Sequence, residues 1–206
     1  MNSNSSLKFK SLSNLKSLSS ISSEVFMRIS DSGTSFTERN QHIRMCIAKT
    51  LVKIMEVKNI DEITITELVK KANVSRMTFY KYYKSKVEVL SDYMYEIVND
   101  YIEDTRKKED IGGLHDYKHI CHCFQFFKQF SGFFKTLLQA NMYSVIINAL
   151  NNYMDSYVSK STIRSKYELY YYAGALCNTY IKWLETGMVE SPEEISKIVY
   201  EHVITT

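Results

Sequence analysis

The sequence predicts an all-α protein with about nine helices. Its 206 residues include only six Gly and one Pro, so few positions interrupt a helix. Leu, Ile, Met and Tyr recur at the three- and four-residue spacing of amphipathic helices over most of the chain. Because 45% of the residues are hydrophobic, the chain can bury an ordinary core without disulfides or a metal. We therefore expect a helical fold that is stabilised by packing.

Charge is divided unevenly along the chain. Residues 1–86 hold 15 Lys and Arg against 7 Asp and Glu, whereas residues 87–206 hold 11 against 16. A basic first part predicts a polyanionic partner, either a nucleic acid or an anionic membrane surface. The longest charge-free apolar run, residues 169–181, is too short to cross a bilayer, and the Ser-rich start lacks the apolar stretch of a secretory signal. We expect a cytoplasmic protein whose four Cys stay reduced.

Three segments are predicted from composition. Residues 1–36 contain 13 Ser and bury little, so we expect a solvated tail, with a basic arm that follows DNA as the alternative. Residues 37–86 form a small basic helical domain. Residues 87–206 form a larger, acidic helical bundle.

The first two helices of the basic domain are predicted from an apolar stripe and an N-terminal capping box. Apolar residues from Ile43 to Met55 share one face of a helix that runs to about Val57. The stretch Thr-Ile-Thr-Glu predicts a capping box, in which the Thr64 hydroxyl accepts from the Glu67 amide and the Glu67 carboxylate accepts from the Thr64 amide. A short helix follows to Ala72.

A sharp turn and two further helices come next. Asn73 lies where the chain must turn, and Asn tolerates a left-handed conformation well. A second short helix begins at Ser75 or Arg76 and ends near Tyr83. Ser85 and Glu88 then form the capping box of a longer helix that runs to about Lys108. Two short helices joined by a three-residue turn have the layout of a helix-turn-helix.

The second short helix has the composition of a DNA-reading surface. Residues 75–86 contain four basic and four aromatic side chains and no acid. Helical spacing turns Phe79 and Tyr83 inward. The residues expected to face DNA bases are Arg76, Met77, Thr78 and Lys81, and those expected to face phosphates are Tyr80, Tyr82, Lys86 and, from the preceding helix, Thr64. A solvated charged face is the alternative, but it does not explain the outward aromatic residues.

Residues 63–90, ITITELVKKANVSRMTFYKYYKSKVEVL, resemble the DNA-binding domain of TetR/AcrR-family transcriptional regulators. The resemblance spans about residues 38–100 and differs mainly at Asn73, where the family usually has Gly. Its matching positions are Thr64, Glu67, Ala72, Val74, Ser75, Thr78, Phe79, Tyr80, Tyr83, Ser85 and Lys86. It implies phosphate contacts by Tyr80 and Lys86. It also implies contacts to bases or nearby backbone by Thr66, Arg76, Met77, Thr78 and Lys81.

The resemblance implies a sequence-specific DNA-binding regulator with a larger helical domain for ligand binding and dimerisation. We expect a repressor that binds a pseudo-palindromic operator as a homodimer, since two recognition helices reading half-sites about 34 Å apart gain specificity. The alternative is a helical scaffold whose basic end binds a protein or any polyanion. No nucleophile elbow, phosphate loop or paired-carboxylate motif occurs, so we expect no enzymatic activity.

The acidic bundle is predicted to contain helices near 115–129, 131–139, 142–159, 165–186 and 192–203. The last begins with a capping box of Ser191 and Glu194, with Pro192 between them. Residues 171–195 resemble a C-terminal domain found in a subset of the same family, which uses its last two long helices to dimerise. The predicted dimer-interface residues are Tyr170, Gly174, Cys177, Ile181, Ile195 and Val199.

The bundle is rich in aromatic side chains, most of which we expect in the core. A subset is predicted to line a pocket for a small apolar or aromatic effector. These residues are Phe126, Phe130, Phe134, Tyr143, Tyr171 and Trp183. His115, His119 and His122 or Cys123 share a helix face, but one straight helix spaces them too far apart to close on one ion. We therefore expect no metal and no cofactor.

Overall fold

The computed structural model describes residues 34–158 and 163–204, which form nine α-helices and a short 3₁₀ turn, Ile60–Glu62, without a strand. The helices are α1 (Thr34–Met55), α2 (Ile65–Lys71), α3 (Arg76–Tyr82), α4 (Lys86–Arg106), α5 (Tyr117–Lys128), α6 (Ser131–Gln139), α7 (Tyr143–Val158), α8 (Ile163–Glu185) and α9 (Pro192–Ile204). The predicted all-α class is confirmed. Over the described ranges, no helix combines the length and the apolar character that a membrane span needs.

The chain divides into two compact units, residues 1–43 and residues 44–206. The described part of the first unit is the beginning of α1, which starts at Thr34, two residues before the predicted end of the Ser-rich tail. The rest of that tail, residues 1–33, lies outside the described residues. The predicted domain boundary between residues 86 and 87 stays a prediction.

Two of the three predicted capping boxes form only in part. Thr64 accepts from the Glu67 amide at 3.1 Å, but the Glu67 carboxylate accepts from the ammonium groups of Lys58 at 2.8 Å and Lys71 at 3.1 Å. The predicted bond from Glu67 to the Thr64 amide is therefore wrong, because charged donors bind a carboxylate more strongly than a neutral amide does.

The caps of α4 and α9 differ in whether the Glu side chain accepts from the amide of the capping residue. Ser85 accepts from the Glu88 amide at 3.2 Å, but Glu88 accepts from the amide of Lys84, one residue before the cap. At α9 the box is reciprocal. The Ser191 hydroxyl accepts from the Glu194 amide at 3.2 Å, and the Glu194 carboxylate accepts from the Ser191 amide at 2.8 Å.

The bundle in the second unit has an aromatic core. Helix α9 packs on α5, α8 packs on α7, and α7 packs on α4. Phe124 and Trp183 are each 2% exposed and meet edge to face with ring centroids 5.7 Å apart. Tyr180 contacts both of these rings and Phe134 as well. Edge-to-face contacts of this kind add to the free energy gained by burying the rings.

A buried ionic cluster joins α1 to α4. Arg44 donates to both carboxylate oxygens of Asp92, at 2.9 and 2.7 Å, and to Glu96 at 2.6 Å. The Tyr83 hydroxyl, just after α3, donates to Asp92 at 2.6 Å. Burial by itself would lower the pKa of Arg44, but the hydrogen bond and the charge of Asp92 raise it. Burial and the charge of Asp92 also raise the pKa of Tyr83, which therefore stays a donor.

Replacing Arg44 with Met should lower the free energy of unfolding by about 3–5 kcal/mol, because Asp92 and Glu96 would stay buried without a positive partner. Urea denaturation measures the change. Lys58→Met is the control, since the Lys58–Glu67 pair is partly exposed and screened by water, and it should have little effect. If both variants lose the same free energy of unfolding, burial is not what makes the Arg44 cluster more stabilising than the Lys58–Glu67 pair.

Candidate nucleic-acid interface

The turn between α2 and α3 depends on Asn73. Its φ is 53°, in the left-handed region, as the sequence predicts. The Asn73 amide donates to the carbonyl of Lys70 at 3.3 Å, and the Val74 amide donates to the carbonyl of Val69 at 3.0 Å. These bonds satisfy carbonyls that the end of α2 would otherwise leave without partners. The chain therefore turns directly from α2 into α3.

Helix α3 has a firm cap and a buried side. The Ser75 hydroxyl accepts from the Thr78 amide at 2.9 Å, and the hydroxyls of Ser75 and Thr78 lie 2.8 Å apart. Phe79 is fully buried and Tyr83, at the end of the helix, is 4% exposed, so both face inward as expected. Their rings are in contact, with centroids 5.8 Å apart. This packing fixes which side of α3 faces outward.

The opposite side of α3 is exposed. Met77 is 85% exposed and Tyr80 is 53% exposed, and Arg76 and Lys81 are exposed beside them. Tyr82 is half-buried, with the Lys81 ammonium 5.3 Å from the centre of its ring. Large side chains that are this exposed do not serve the core, and they suit a contact surface.

Lys86 occupies a position that sequence reasoning missed. Its ammonium donates to the carbonyls of Ile60 and of Ile63, the latter at 2.7 Å. The first residue of α4 is therefore tied to the backbone just before α2, where Thr64 and Thr66 are exposed. Two of the three ammonium donors are used in this way. No sequence motif marks a contact between residues more than twenty positions apart.

Two family models match the chain. One, described as bacterial regulatory proteins of the tetR family, matches residues 47–93. The other, described as a transcriptional regulator C-terminal region, matches residues 115–204. Together they cover well over half of the chain and both of its predicted functional parts. The chain belongs to the TetR family of transcriptional regulators.

Several solved structures share the fold of this regulator. Lin0861 from Listeria innocua has a TM-score of 0.71 at 14% identity, covering 85% of this regulator and 95% of that chain. A TetR transcriptional regulator from Streptococcus agalactiae 2603V has a TM-score of 0.54 at 18% identity, with coverages of 81% and 96%. The dihydroxyacetone kinase operon activator DhaS has a TM-score of 0.54 at 18% identity, with coverages of 79% and 94%. At these identities the likeness shows the fold alone.

A comparison with curated proteins finds no match to this regulator. The regulator is a DNA-binding protein with a helix-turn-helix, because the family is defined by that function and fold. Family members are non-enzymatic, which agrees with the expectation drawn from the sequence.

A cavity of about 100 Å³ lies within the bundle of the regulator. Its wall is made of apolar and aromatic side chains from α4, α5, α6, α7 and α8 and from the segment before α5. They are Met94, Val98, Tyr101, Leu114, His119, Ile120, Cys123, Phe124, Phe127, Phe134, Ile146, Leu150, Tyr153, Met154, Tyr172, Leu176, Cys177 and Tyr180. Of the six residues predicted to line a pocket, Phe134 is in this wall.

The other five predicted pocket residues lie outside this wall, and for them the pocket role stays a prediction. Phe126 and Trp183 are buried in the aromatic core outside the wall, and Phe130 lines a groove with Lys49 and Lys53. The remaining two are exposed, Tyr143 by 42% and Tyr171 by 78%. Aromatic identity alone does not tell which side of a helix faces a cavity.

The residues of the predicted dimer face of α8 differ in exposure. Cys177 and Ile181 are 8% and 9% exposed, and Cys177 lines the cavity. Both pack mainly within the chain. The outer face of α8 carries Tyr167, which is 65% exposed, with Tyr171 and Gly174. Of the other predicted interface residues, Tyr170, Ile195 and Val199 are partly exposed.

The histidines that share a helix face have separate partners. His119 Nδ1 lies 3.3 Å from the carbonyl oxygen of Gly112. His122 Nε2 lies 3.2 Å from the Thr105 hydroxyl and 3.4 Å from a carboxylate oxygen of Asp104. Over residues 34–158 and 163–204, no three His, Cys, Asp or Glu side chains gather in a way that could hold a metal ion.

Replacing Asn73 with Ala should lower the free energy of unfolding by about 1 kcal/mol, because a left-handed conformation is costly for a residue with an ordinary Cβ. Asn73→Gly is the matched control and should be tolerated, since Gly adopts positive φ readily. Thermal or urea unfolding of the two variants distinguishes them. If Ala is as stable as Gly, the turn does not depend on φ at this position.

Proposed function

We propose that the regulator binds a pseudo-palindromic DNA operator as a homodimer, with α3 of each protomer in a major groove, and that it acts as a repressor. The observation that carries the proposal is the two-sided character of α3. Phe79 and Tyr83 are buried, while Arg76, Met77 and Tyr80 are exposed on the other side. A helix so anchored presents long side chains at fixed positions, as groove reading requires.

Chemistry divides the exposed residues into two roles. The Arg76 guanidinium suits the two acceptors on the groove edge of guanine, and the Met77 side chain suits a thymine methyl group. Thr78 and Lys81 are proposed to contact bases or nearby backbone. Thr78 contributes its methyl group to such a contact, because its hydroxyl also bonds Ser75.

The proposed phosphate contacts come from α3 and from its neighbours. In α3 they are the hydroxyls of Tyr80 and Tyr82. Outside α3, Thr64 lies at the start of α2, and the Lys86 ammonium rests on the Ile63 carbonyl just before it. Contacts of this type fix the register of the protein on the duplex but do not select its sequence. Thr66, in the first turn of α2, is proposed to contact bases or nearby backbone.

Arg76→Ala should weaken binding to the operator by about 1–3 kcal/mol and relax discrimination at one base position, whereas Tyr80→Ala should weaken binding to all duplexes alike. Lys86→Ala should weaken binding uniformly and flatten its dependence on salt. Genome-wide footprinting on the organism's own DNA identifies the operator, and fluorescence anisotropy at several salt concentrations measures the affinities.

Lys135→Ala is the matched control, because Lys135 is exposed on α6 in the acidic bundle. It should leave operator affinity unchanged. Unchanged affinity in the Arg76, Tyr80 and Lys86 variants would contradict the assignment of α3. Equal affinity of the wild type for operator, RNA and heparin would instead favour a scaffold with a general polyanion surface.

For the dimer, we propose that the outer face of α8 meets its copy. The exposed rings of Tyr167 and Tyr171 lie on the same face of α8 as Gly174, two turns and one turn before it. An added Cβ at Gly174 would meet no atom of the same chain within 4 Å. Exposed aromatic residues beside a small residue suit close helix packing. Tyr170, Ile195 and Val199, which are partly exposed, are proposed to lie at the margin of this interface.

Gly174→Leu should weaken the dimer by about 1–3 kcal/mol through overpacking, while helix propensity leaves the protomer fold intact. Sedimentation equilibrium measures the dissociation constant. Gly132→Leu is the control, because Gly132 is also helical and has the same open surroundings. A dimer constant that changes equally in both variants would exclude Gly174 from the interface.

Further parts of the proposal come from the sequence. We propose that the cavity takes a small apolar or aromatic effector, whose binding favours a dimer with recognition helices mis-spaced for DNA. DhaS is named an activator, so the sign of control is tested separately, by reporter expression with and without the regulator. A cytoplasmic location and the segments 1–36, 37–86 and 87–206 are proposed as predicted.

A further inference from the structure

The wall of the cavity carries no ionised side chain. None of its 18 residues is Asp, Glu, Lys or Arg. A charged ligand would lose its hydration there without gaining a partner of opposite charge, which is strongly unfavourable. The occupant suited to this wall is therefore an uncharged molecule.

Several polar groups in the wall are already engaged by the protein. The Tyr180 hydroxyl donates to the carbonyl of Phe127 at 2.9 Å, and the Tyr172 hydroxyl donates to the carbonyl of Leu114. Burial raises the pKa of Cys123 to about 12 and also raises the pKa of Cys177, so both thiols stay neutral. These groups add little polarity to the wall.

His119 differs from the other polar wall residues. The residue is 6% exposed, and its Nε2 is the one buried side-chain nitrogen or oxygen without a hydrogen-bond partner in the part of the chain that the structure describes. Buried polar atoms rarely lack a partner, because the lost hydration is costly. Without a ligand, Nε2 has almost no accessible surface. A ligand that supplies its partner must therefore displace neighbouring wall atoms, and it would gain affinity from the hydrogen bond.

The protein also determines which kind of partner Nε2 needs. Nδ1 lies 3.3 Å from the carbonyl oxygen of Gly112, and a carbonyl can only accept. Nδ1 therefore carries a proton, and in this tautomer Nε2 presents a lone pair. The missing partner is a hydrogen-bond donor. A water molecule suits the position less well, since buried waters typically have about three polar partners.

We propose that the cavity binds an uncharged ligand about the size of one aromatic ring, with a single O–H or N–H group that donates to His119 Nε2. The size follows from the cavity volume of about 100 Å³, since an engineered apolar cavity of about 150 Å³ binds benzene. Phe124, Phe127 and Phe134 offer ring contacts to such a ligand. The inference rests on the proposed effector role of this cavity.

Phenol is the probe, and toluene is its partner of nearly equal shape without a donor. Isothermal titration calorimetry on the full chain gives the affinity of each for the wild type and for His119→Leu. The ratio of phenol affinity to toluene affinity should fall about tenfold in the variant, the loss expected for one hydrogen bond. His42→Leu, at an exposed histidine outside the wall, should leave the ratio unchanged. An unchanged ratio in His119→Leu would overturn the proposal.

Two more ligands test the chemical class. Anisole keeps the ring and an acceptor oxygen but has no donor, so it should gain nothing over toluene. Benzoate should not bind. A preference for anisole over phenol would contradict the requirement for a donor on the ligand. Tight binding of benzoate in the cavity would contradict the requirement for an uncharged ligand. Failure of phenol to bind the wild type would overturn the inference as well.

Nitrogen-15 NMR of labelled histidine tests the tautomer directly, without reference to DNA. His119 should show a protonated Nδ1 and a bare Nε2 whose signal shifts when phenol binds. A proton on Nε2 would overturn the donor assignment. Phenol binding through His119 with no loss of operator affinity would support the ligand class while contradicting effector release. If Arg76→Ala loses operator binding but the wild type does not bind phenol, the DNA-binding role is supported and the ligand class is contradicted.

Discussion

Arg44 holds two acidic side chains of α4 and, through Asp92, the hydroxyl of Tyr83 at the end of α3. Three helices of the DNA-binding part thus meet at one buried charge. A buried carboxylate without a positive partner is unfavourable, and so is a buried guanidinium without a negative one. In this cluster the opposite charges and their hydrogen bonds offset that cost. The direction in which α3 presents its outer side chains depends on Tyr83, and the position of Tyr83 depends on this cluster.

Helix α4 also takes part in the cavity. Asp92 and Glu96 face Arg44, while Met94, Val98 and Tyr101 belong to the cavity wall. A helix of 21 residues is stiff over this length, so displacement of one part moves the other. The same stretch of α4 thus makes polar contacts with Arg44 on one face and apolar contacts with the cavity on another. Such an element suits coupling between a ligand and DNA.

Local features of the fold could be predicted from the sequence, and contacts between distant residues could not. The hydroxyls of Thr64, Ser75, Ser85 and Ser191 cap helices as expected, since capping needs only residues three positions apart. Asn73 adopts positive φ for an equally local reason. The bond from Glu67 to Lys58 and the place of Cys177 in the cavity wall could not be predicted, because both depend on which elements become neighbours.

The same distinction applies to the candidate site. Helical spacing alone separates the buried Phe79 from the exposed Met77 and Tyr80, so the outer face of α3 could be predicted. The Arg44 cluster could not, because its partners are 48 and 52 residues away. The sequence around His119 indicates only a candidate metal ligand, because its missing hydrogen-bond partner becomes visible when the surrounding helices are in place.

The contacts of Lys86 bear on conformational entropy. A free lysine side chain samples many rotamers and loses about 2 kcal/mol of entropy when it is held. The Lys86 ammonium already rests on the carbonyls of Ile60 and Ile63, so folding has largely restricted its rotamers. Its charge is therefore positioned before any phosphate approaches, and a contact made with its remaining donor would order little more of the side chain.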